Sequence, residues 1–358
     1  MNDGPFEAAG LTVRLGAIAA NYKEFRRISG RVPVAGVVKA DAYGLGAEFV
    51  APALHAAGCD TFFVARLEEG VALRKVMGDA RIFVLDGAPG QALPALVSHR
   101  LTPVLNSLED ISNWNGVGSF PAAIHIDTGM NRLGLSPDEL SLLAKEWRVR
   151  LEKIGPILWM SHLASGDAKK SRMNHVQLAR FRAALAMLPP APASLAASGG
   201  AFLGPAYRFD LVRPGIGLYG GAPQEGGQAM RTAAVLSARV LQLRRIDRQE
   251  SVGYAATFRA KRPTMLATVA LGYAGGLPRS LSNKGFAHVG GARAPYAGRV
   301  SMDMTVLDVT DIPGVALHGT VELLGDQVGL EDIAHLAGTN AYEILTGLKA
   351  SRHYVDAG

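Results

Sequence analysis

Lys39 follows an apolar run, residues 32–38, and precedes Ala40-Asp41-Ala42-Tyr43-Gly44-Leu45-Gly46. A β-branched run of this kind reads as a strand buried on both faces, so its first charged side chain emerges where the strand leaves the core. Most lysines that close a strand are simply solvated. Lys39 is set apart by residues far from it in the chain. Other apolar runs end in Asp127 through Arg132, in Ser161-His162, in Ser198-Gly199-Gly200 and in Arg213-Pro214-Gly215-Ile216-Gly217. The glycine turns expose backbone N–H groups beside the Ser198 hydroxyl, a nest suited to phosphate, although tight turning alone also accounts for glycines there. His162 taken singly is as readily a satisfied core histidine. A phosphate nest together with a lysine able to lose its proton in a dry pocket points to pyridoxal phosphate, whose aldehyde needs a neutral amine.

Eight runs with strand character supply these ends: residues 32–38, 61–65, 81–85, 101–105, 122–127, 154–161, 194–198 and 210–213. Helical periodicity lies between most of them, as at 47–57, 67–77 and 174–187. Alternation of this kind predicts a closed parallel (β/α)8 barrel, an α/β fold whose chemistry gathers at the C-terminal ends of its strands. Ser136-Pro137-Asp138-Glu139 predicts a helix start, with an N-cap, a proline at the first helical position and a capping-box glutamate. An open doubly wound sheet is the competing architecture, but Gly44-Leu45-Gly46 is only a fragment of its G-x-G-x-x-G fingerprint. Beyond about residue 230 the runs at 235–243, 251–258, 264–271, 293–310 and 320–325 predict a second, mainly β domain, with helical patterning only at 330–337. The expected division is residues 1–229 for the barrel and 230–358 for the β domain. Residues 11–15 read as a strand before the barrel, so that residues 1–15 pair with the β domain.

At 358 residues and 48% hydrophobic content the chain can bury more than one core. The formal net charge is +6, but the basic residues are scattered and the tightest groups, Arg244-Arg245 and Lys261-Arg262, are only pairs. That distribution argues against a nucleic-acid partner. Cys59 is the single cysteine, which excludes an intrachain disulfide and fits a reducing compartment. The N-terminus has neither the basic start nor the apolar stretch of a secretory signal. The longest uncharged segment, residues 183–207, contains four prolines and does not suit a membrane span. A cytoplasmic protein is expected.

Val37-Val38-Lys39-Ala40-Asp41-Ala42-Tyr43-Gly44-Leu45-Gly46 resembles the cofactor-lysine signature of the alanine racemases, pyridoxal-phosphate enzymes with a barrel plus a β domain. Further strings follow in the same order across nearly the whole chain: residues 126–134, Met160-Ser161-His162-Leu163, Met173-Asn174, residues 212–220, Val252-Gly253-Tyr254, Gly272-Tyr273-Ala274 and residues 298–303. The resemblance implies interconversion of L-alanine and D-alanine by a two-base mechanism, for peptidoglycan supply or alanine catabolism, with no metal. Lys39 would carry the cofactor aldimine and work on one face of the substrate Cα, and Tyr254 would work on the other. It also implies a homodimer with shared sites, because Tyr254, Met302 and Asp303 reach the barrel mouth of the other subunit, the last two near the substrate carboxylate. Arg213 would face the pyridine nitrogen, where a guanidinium that stays protonated cannot accept the pyridinium proton. Arg132 would bond the cofactor phenolic oxygen, and His162 would link Tyr254 to Arg213. The phosphate would take Tyr43, Ser198 and the backbone of Gly215 and Ile216.

The chain also departs from the family pattern. His125 stands where members often have a lysine, carbamylated in some, that positions the arginine here numbered 132. An imidazole cannot reproduce a carbamate, so Arg132 needs other support, such as a bound chloride. Ala197, Gly275 and Ser301 replace the more usual asparagine, aspartate and cysteine. Residues 345–350 match poorly where some members place a second phosphate tyrosine, so no phosphate contact is expected there. Three rivals remain. A cofactor carrier on the same barrel would lack the β domain, a related decarboxylase would set a carboxylate at the ring nitrogen, and a racemase of other specificity would act on serine or a basic amino acid.

Overall fold

The run that ends at Lys39 is buried from Val34 to Val38 and takes its place as one stave of a barrel. The structure, a computed structural model, describes residues 7–227 and 230–356. Strand β1, Ala9–Arg14, leads directly into helix Leu15–Ser29. Seven parallel strands then follow in sheet order: β2 Gly36–Val37, β3 Thr61–Val64, β4 Arg81–Val84, β5 Thr102–Leu105, β6 Ala122–His125, β7 Pro156–Met160 and β8 Ala193–Ser194. Parallel bridges from Val34 to Val212 and from Ala197 to Arg213 connect the two edges of this sheet. The 212–214 segment is the stave between them, with Ala35 N–H donating to Val212 O at 2.8 Å and Arg213 N–H to Ala196 O at 2.9 Å. Its ladder is short because Pro214 has no N–H to give.

β3 and β6 are buried at every position, as strands sheathed by helices on the outside and filled by side chains within must be. Inside, the Phe63 and Phe83 rings stack at 4.5 Å, and the Arg213 guanidinium lies 5.8 Å from the Phe63 centroid. The capping box forms as the sequence predicts: helix Pro137–Arg150 opens with Glu139 N–H donating to Ser136 Oγ, and the Glu139 carboxylate accepts from Ser136 N–H at 2.9 Å.

The β domain is built on β9, Ala234–Ile246. It comprises β10 Ser251–Val252, β11 Phe258–Arg259, β12 Thr264–Val269, β13 Phe286–Val289, β14 Ala292–Pro295, β15 Thr305–Asp308, β16 Thr320–Leu324 and β17 Ser351–Val355. β1 lies in the same sheet, antiparallel to β9 and parallel to β17. Two long strands read from the sequence are broken. A turn at Tyr254–Ala256 interrupts 251–258, because Ala255 and Ala256 take φ of 60° and 50°. The 293–310 run divides into β14 and β15 around a loop that carries Met302 and Asp303, entered through Gly298 at φ 92°. Composition marks both stretches as strand-like but carries no trace of single left-handed residues. Helix Ala341–Gly347 is also unforeseen; Asn340 caps it by accepting from Glu343 N–H at 3.0 Å.

Candidate active site

The four residues after Lys39 are all left-handed: Ala40, Asp41, Ala42 and Tyr43 have φ between 51° and 58°. Each such L-residue costs roughly 1–2 kcal/mol, so four in succession persist only where the surroundings impose them. Ala40 N–H donates to Glu69 Oε1 at 2.7 Å, Gly44 N–H to Ala40 O at 2.8 Å and Gly46 N–H to Asp41 O at 2.8 Å. The turn carries the chain from Lys39 to Tyr43, whose buried ring packs against Tyr219 with centroids 4.7 Å apart. Lys39 itself is half-buried. Burial lowers its amine pKa and the Arg132 charge adds to this, with Glu69 and Asp86 opposing.

Arg213 is buried, and burial brings its pKa down only to about 10, so it stays a cation at neutral pH. Its Nη2 donates to Ser161 O at 2.7 Å and its Nη1 to Ser194 Oγ; among the described residues no carboxylate pairs with it. His162 feels that charge. Burial first, then Arg213 and Arg132, hold its imidazole down to about 3. Gln177, on helix Arg172–Met187, fixes this strand end by donating to His162 O at 2.9 Å and to Thr128 Oγ1 at 3.1 Å, while Thr128 shares a hydrogen bond with Ser161. Gln177 does not stand out in the sequence, where it looks like ordinary helix polarity, and nothing in the 127–132 run marks Thr128 as its partner.

His125 settles what lies where the family lysine would be. Asn106 Nδ2 donates to Leu85 O and Val104 O, at 2.9 and 3.0 Å, so its Oδ1 is the atom 2.9 Å from His125 Nδ1. That amide orientation requires a proton on Nδ1, so that in the neutral ring Nε2 is the acceptor. Burial and the Arg213 charge hold its pKa down to about 4. The loop bearing Arg132 is supported otherwise. The Asp127 carboxylate accepts from the N–H groups of Gly129, Met130 and Asn131 at 2.9 to 3.0 Å. Gly134, at φ 104°, lies on the His125 ring, where a Cβ would stand 3.1 Å from Cγ.

Folded His125 and His162 remain neutral well below the pH of about 6.5 at which unfolded histidines gain protons. The unfolded state then binds more protons, so stability falls as the pH drops from about 6.5 towards 4. In His125→Gln, unfolding at pH 5 should take up about one proton fewer than in the wild type, read from the slope of stability against pH. An unchanged slope contradicts the buried neutral imidazole.

The glycine turns form a cradle. Ser198 Oγ accepts from Gly215 N–H at 2.9 Å and Gly217 N–H at 3.2 Å, and a Cβ on Gly215 would fall on the Tyr43 hydroxyl. A cavity of about 620 Å³ opens beside it, lined by His162, Ser198, Ile216 and Tyr342 among others. Tyr342 is the residue that sequence reasoning missed. It sits at the start of helix Ala341–Gly347, its ring 5.9 Å from that of Tyr43, and burial pushes its hydroxyl up to about 12. The Asn340 cap with Glu343 three residues on was the available signal, since it marks the helix start that seats Tyr342.

Tyr254, Met302 and Asp303 are exposed on the β domain; they do not line this cavity, and neither do Lys39, Arg132 and Arg213. Tyr254 is 69% exposed and Met302 53%. Their segments converge: Gly298 packs on Val252 O, while Tyr273 and Ala274 donate N–H to Ser301 O and Met302 O at 3.0 and 2.9 Å. Gly272 allows that approach, for a Cβ there would meet Met302 backbone.

Residues 13–223 match the model of the alanine racemase N-terminal domain and residues 233–355 that of the alanine racemase C-terminal domain. The chain belongs to the alanine racemase family. It is 46% identical over 359 residues to a catabolic alanine racemase of Agrobacterium fabrum, covering 97% of this chain and 92% of the relative. A biosynthetic alanine racemase of the same organism is 43% identical over 367 residues, covering 97% and 94%. Among solved structures, the alanine racemase of Bartonella henselae with covalently bound pyridoxal phosphate superposes with a TM-score of 0.94 at 41% identity, over 98% of this chain and 100% of that one. The family membership accords with the barrel and β domain expected from the sequence.

Proposed function

We propose that the protein interconverts L-alanine and D-alanine with pyridoxal phosphate held at the barrel mouth. The observation that carries this is Arg213, a buried cation with no carboxylate partner among the described residues, whose charge acts on His162 together with that of Lys39, a half-buried lysine of lowered pKa. The cradle fits the cofactor's phosphate: the Ser198, Tyr43 and Tyr342 hydroxyls and the Ile216 N–H offer donors, and the Gly215 N–H, here given to Ser198 Oγ, would turn to the phosphate. Bound there, the cofactor supplies an aldehyde for Lys39 and a ring that spreads the electron pair left when the substrate Cα–H bond breaks.

The chain's own groups do the rest. Lys39, with its proton loosened by burial, takes or returns the proton on one face of Cα. Tyr254 serves the opposite face, supplied by a second copy of the chain whose exposed β-domain surface also brings Met302 and Asp303 towards the substrate carboxylate. Arg132 holds the cofactor's phenolic oxygen and the substrate carboxylate. Arg213, protonated up to about pH 10, faces the ring nitrogen and cannot accept a proton from it, which favours prompt return of a proton to Cα. His162, kept neutral beside Arg213, serves as the link from that arginine to the tyrosine. A cytoplasmic setting suits the single buried thiol of Cys59, raised to about 11 by burial, and no helix among the described residues is long and apolar enough to cross a membrane.

Purified protein given L-alanine should form D-alanine until the two are equal, with serine, lysine and arginine turned over far more slowly in parallel. Formation of no D-alanine, or faster racemisation of another amino acid, contradicts the assignment. Gly215→Ala tests the cradle. Its methyl group would meet the Tyr43 hydroxyl, and overpacking of this kind costs about 1–3 kcal/mol, so cofactor affinity should fall about 5- to 150-fold in a titration of the apoprotein. Unchanged affinity places the phosphate elsewhere.

A further inference from the structure

The left-handed turn behind Lys39 is gripped by the far end of the chain. Arg352, on β17, donates through Nη1 to Asp41 Oδ2 at 2.6 Å, while Asp41 Oδ1 accepts from Ala47 N–H at 2.8 Å. One carboxylate therefore ties together the turn, the helix that follows it and the C-terminal strand. Tyr354, also on β17, stacks on Phe49 with ring centroids 3.9 Å apart, and its hydroxyl lies where a Cβ on Gly46 would be. Leu345 O closes on Gly44 in the same way, 2.7 Å from where a Cβ would stand. β17 is itself fixed in register beside β1, from Gly10 opposite Ser351 to Arg14 opposite Val355. Of the four left-handed residues only Asp41 belongs to a type that visits this region readily, so the conformation depends on what surrounds it.

We propose that Arg352 is a positioning residue: through Asp41, the C-terminal strand holds the left-handed turn that presents Lys39 to its cofactor. This rests on Lys39 being the cofactor lysine. The ion pair is partly exposed, with the two side chains 33% and 52% accessible, and such a pair has modest strength. Its effect is therefore expected as a several-fold change at the turn rather than as loss of folding.

Two measurements on full-length protein test it in the wild type, Arg352→Met, Arg352→Lys, Asp41→Asn and the Arg352→Met/Asp41→Asn double variant. Methionine keeps an apolar stem without the charge, and asparagine keeps the acceptor for Ala47 N–H. Amide exchange at Gly44 and Gly46, whose N–H groups close the turn, should quicken about fivefold in Arg352→Met and in Asp41→Asn. The double variant should be no faster than either, and Arg352→Lys should lie near the wild type. After removal of cofactor, the rate at which added pyridoxal phosphate gains the visible absorbance of its lysine adduct should fall in parallel. Unchanged amide exchange, or effects that simply add in the double variant, would overturn the inference. If Arg352→Met fails to fold, Asp41→Asn against Arg352→Lys still decides it. Should the wild type form no lysine adduct at all, the reading of Lys39 fails instead, and the exchange data judge the Arg352–Asp41 grip by themselves.

Discussion

Lys39→Ala should lose the visible absorbance of lysine-bound pyridoxal phosphate and about four orders of magnitude of alanine racemisation. The substitution removes both the amine that joins the cofactor and the group that moves the proton on one face of Cα. Burial lowers the Lys39 pKa, so neutral amine is available for that bond at lower pH than in a solvated lysine. Lys39 is half-buried at a strand end, where its charge acts on His162, a residue of the cavity lining. An unaltered spectrum in Lys39→Ala would move the cofactor to another lysine.

Tyr254→Phe should reduce turnover by about two to four orders of magnitude while cofactor binding persists. The two enantiomers have equal free energy, so kcat/KM must fall by the same factor whichever one is supplied; a one-sided loss would signal an assay artefact or a different site. The same variant tests the shared site. Tyr254 is exposed on the β domain. Neither Lys39→Ala nor Tyr254→Phe should work alone. After subunit exchange, about half the dimers are mixed, and each of these holds one site with both groups and one with neither. About a quarter of wild-type activity should return. No recovery after verified exchange would mean that Lys39 and Tyr254 do not meet across a dimer.

How much of this was legible in the sequence depends on which property carried the information. The barrel staves were visible because burial on both faces leaves unbroken apolar runs, and Lys39, His162 and Arg213 were visible as the polar residues that end them. Ser198 and Gly215 were legible as a cradle because only glycine permits such close backbone approach. The left-handed turn at Ala40 to Tyr43 was not legible: alanine and tyrosine have no preference for that region, and the contacts that impose it come from Glu69, Leu345 and Arg352. Tyr254 was named by its motif, yet its seat on a turn inside an apparent strand was hidden for the same reason.

His125 shows the limit from the other side. The departure from the family pattern was plain, but its consequence needed Asn106, nineteen positions earlier, whose amide orientation fixes the imidazole proton. Asp127 holds the backbone of the loop that leads to Arg132, through the N–H groups of Gly129, Met130 and Asn131. The Arg132 loop is thus held by a carboxylate within it and by a neutral ring beneath Gly134. Tyr342, likewise, became visible only when the capped helix placed its ring beside Tyr43.

The central claim, proton exchange at Cα by two groups on opposite faces, is tested most directly by following L-alanine in deuterium oxide with the cofactor-loaded protein. We expect D-alanine to carry deuterium at Cα from the first turnovers, while L-alanine recovered early keeps its original hydrogen. D-alanine that retains the substrate's own hydrogen would contradict the two-base account, and the appearance of neither D-alanine nor Cα deuterium would contradict racemisation altogether.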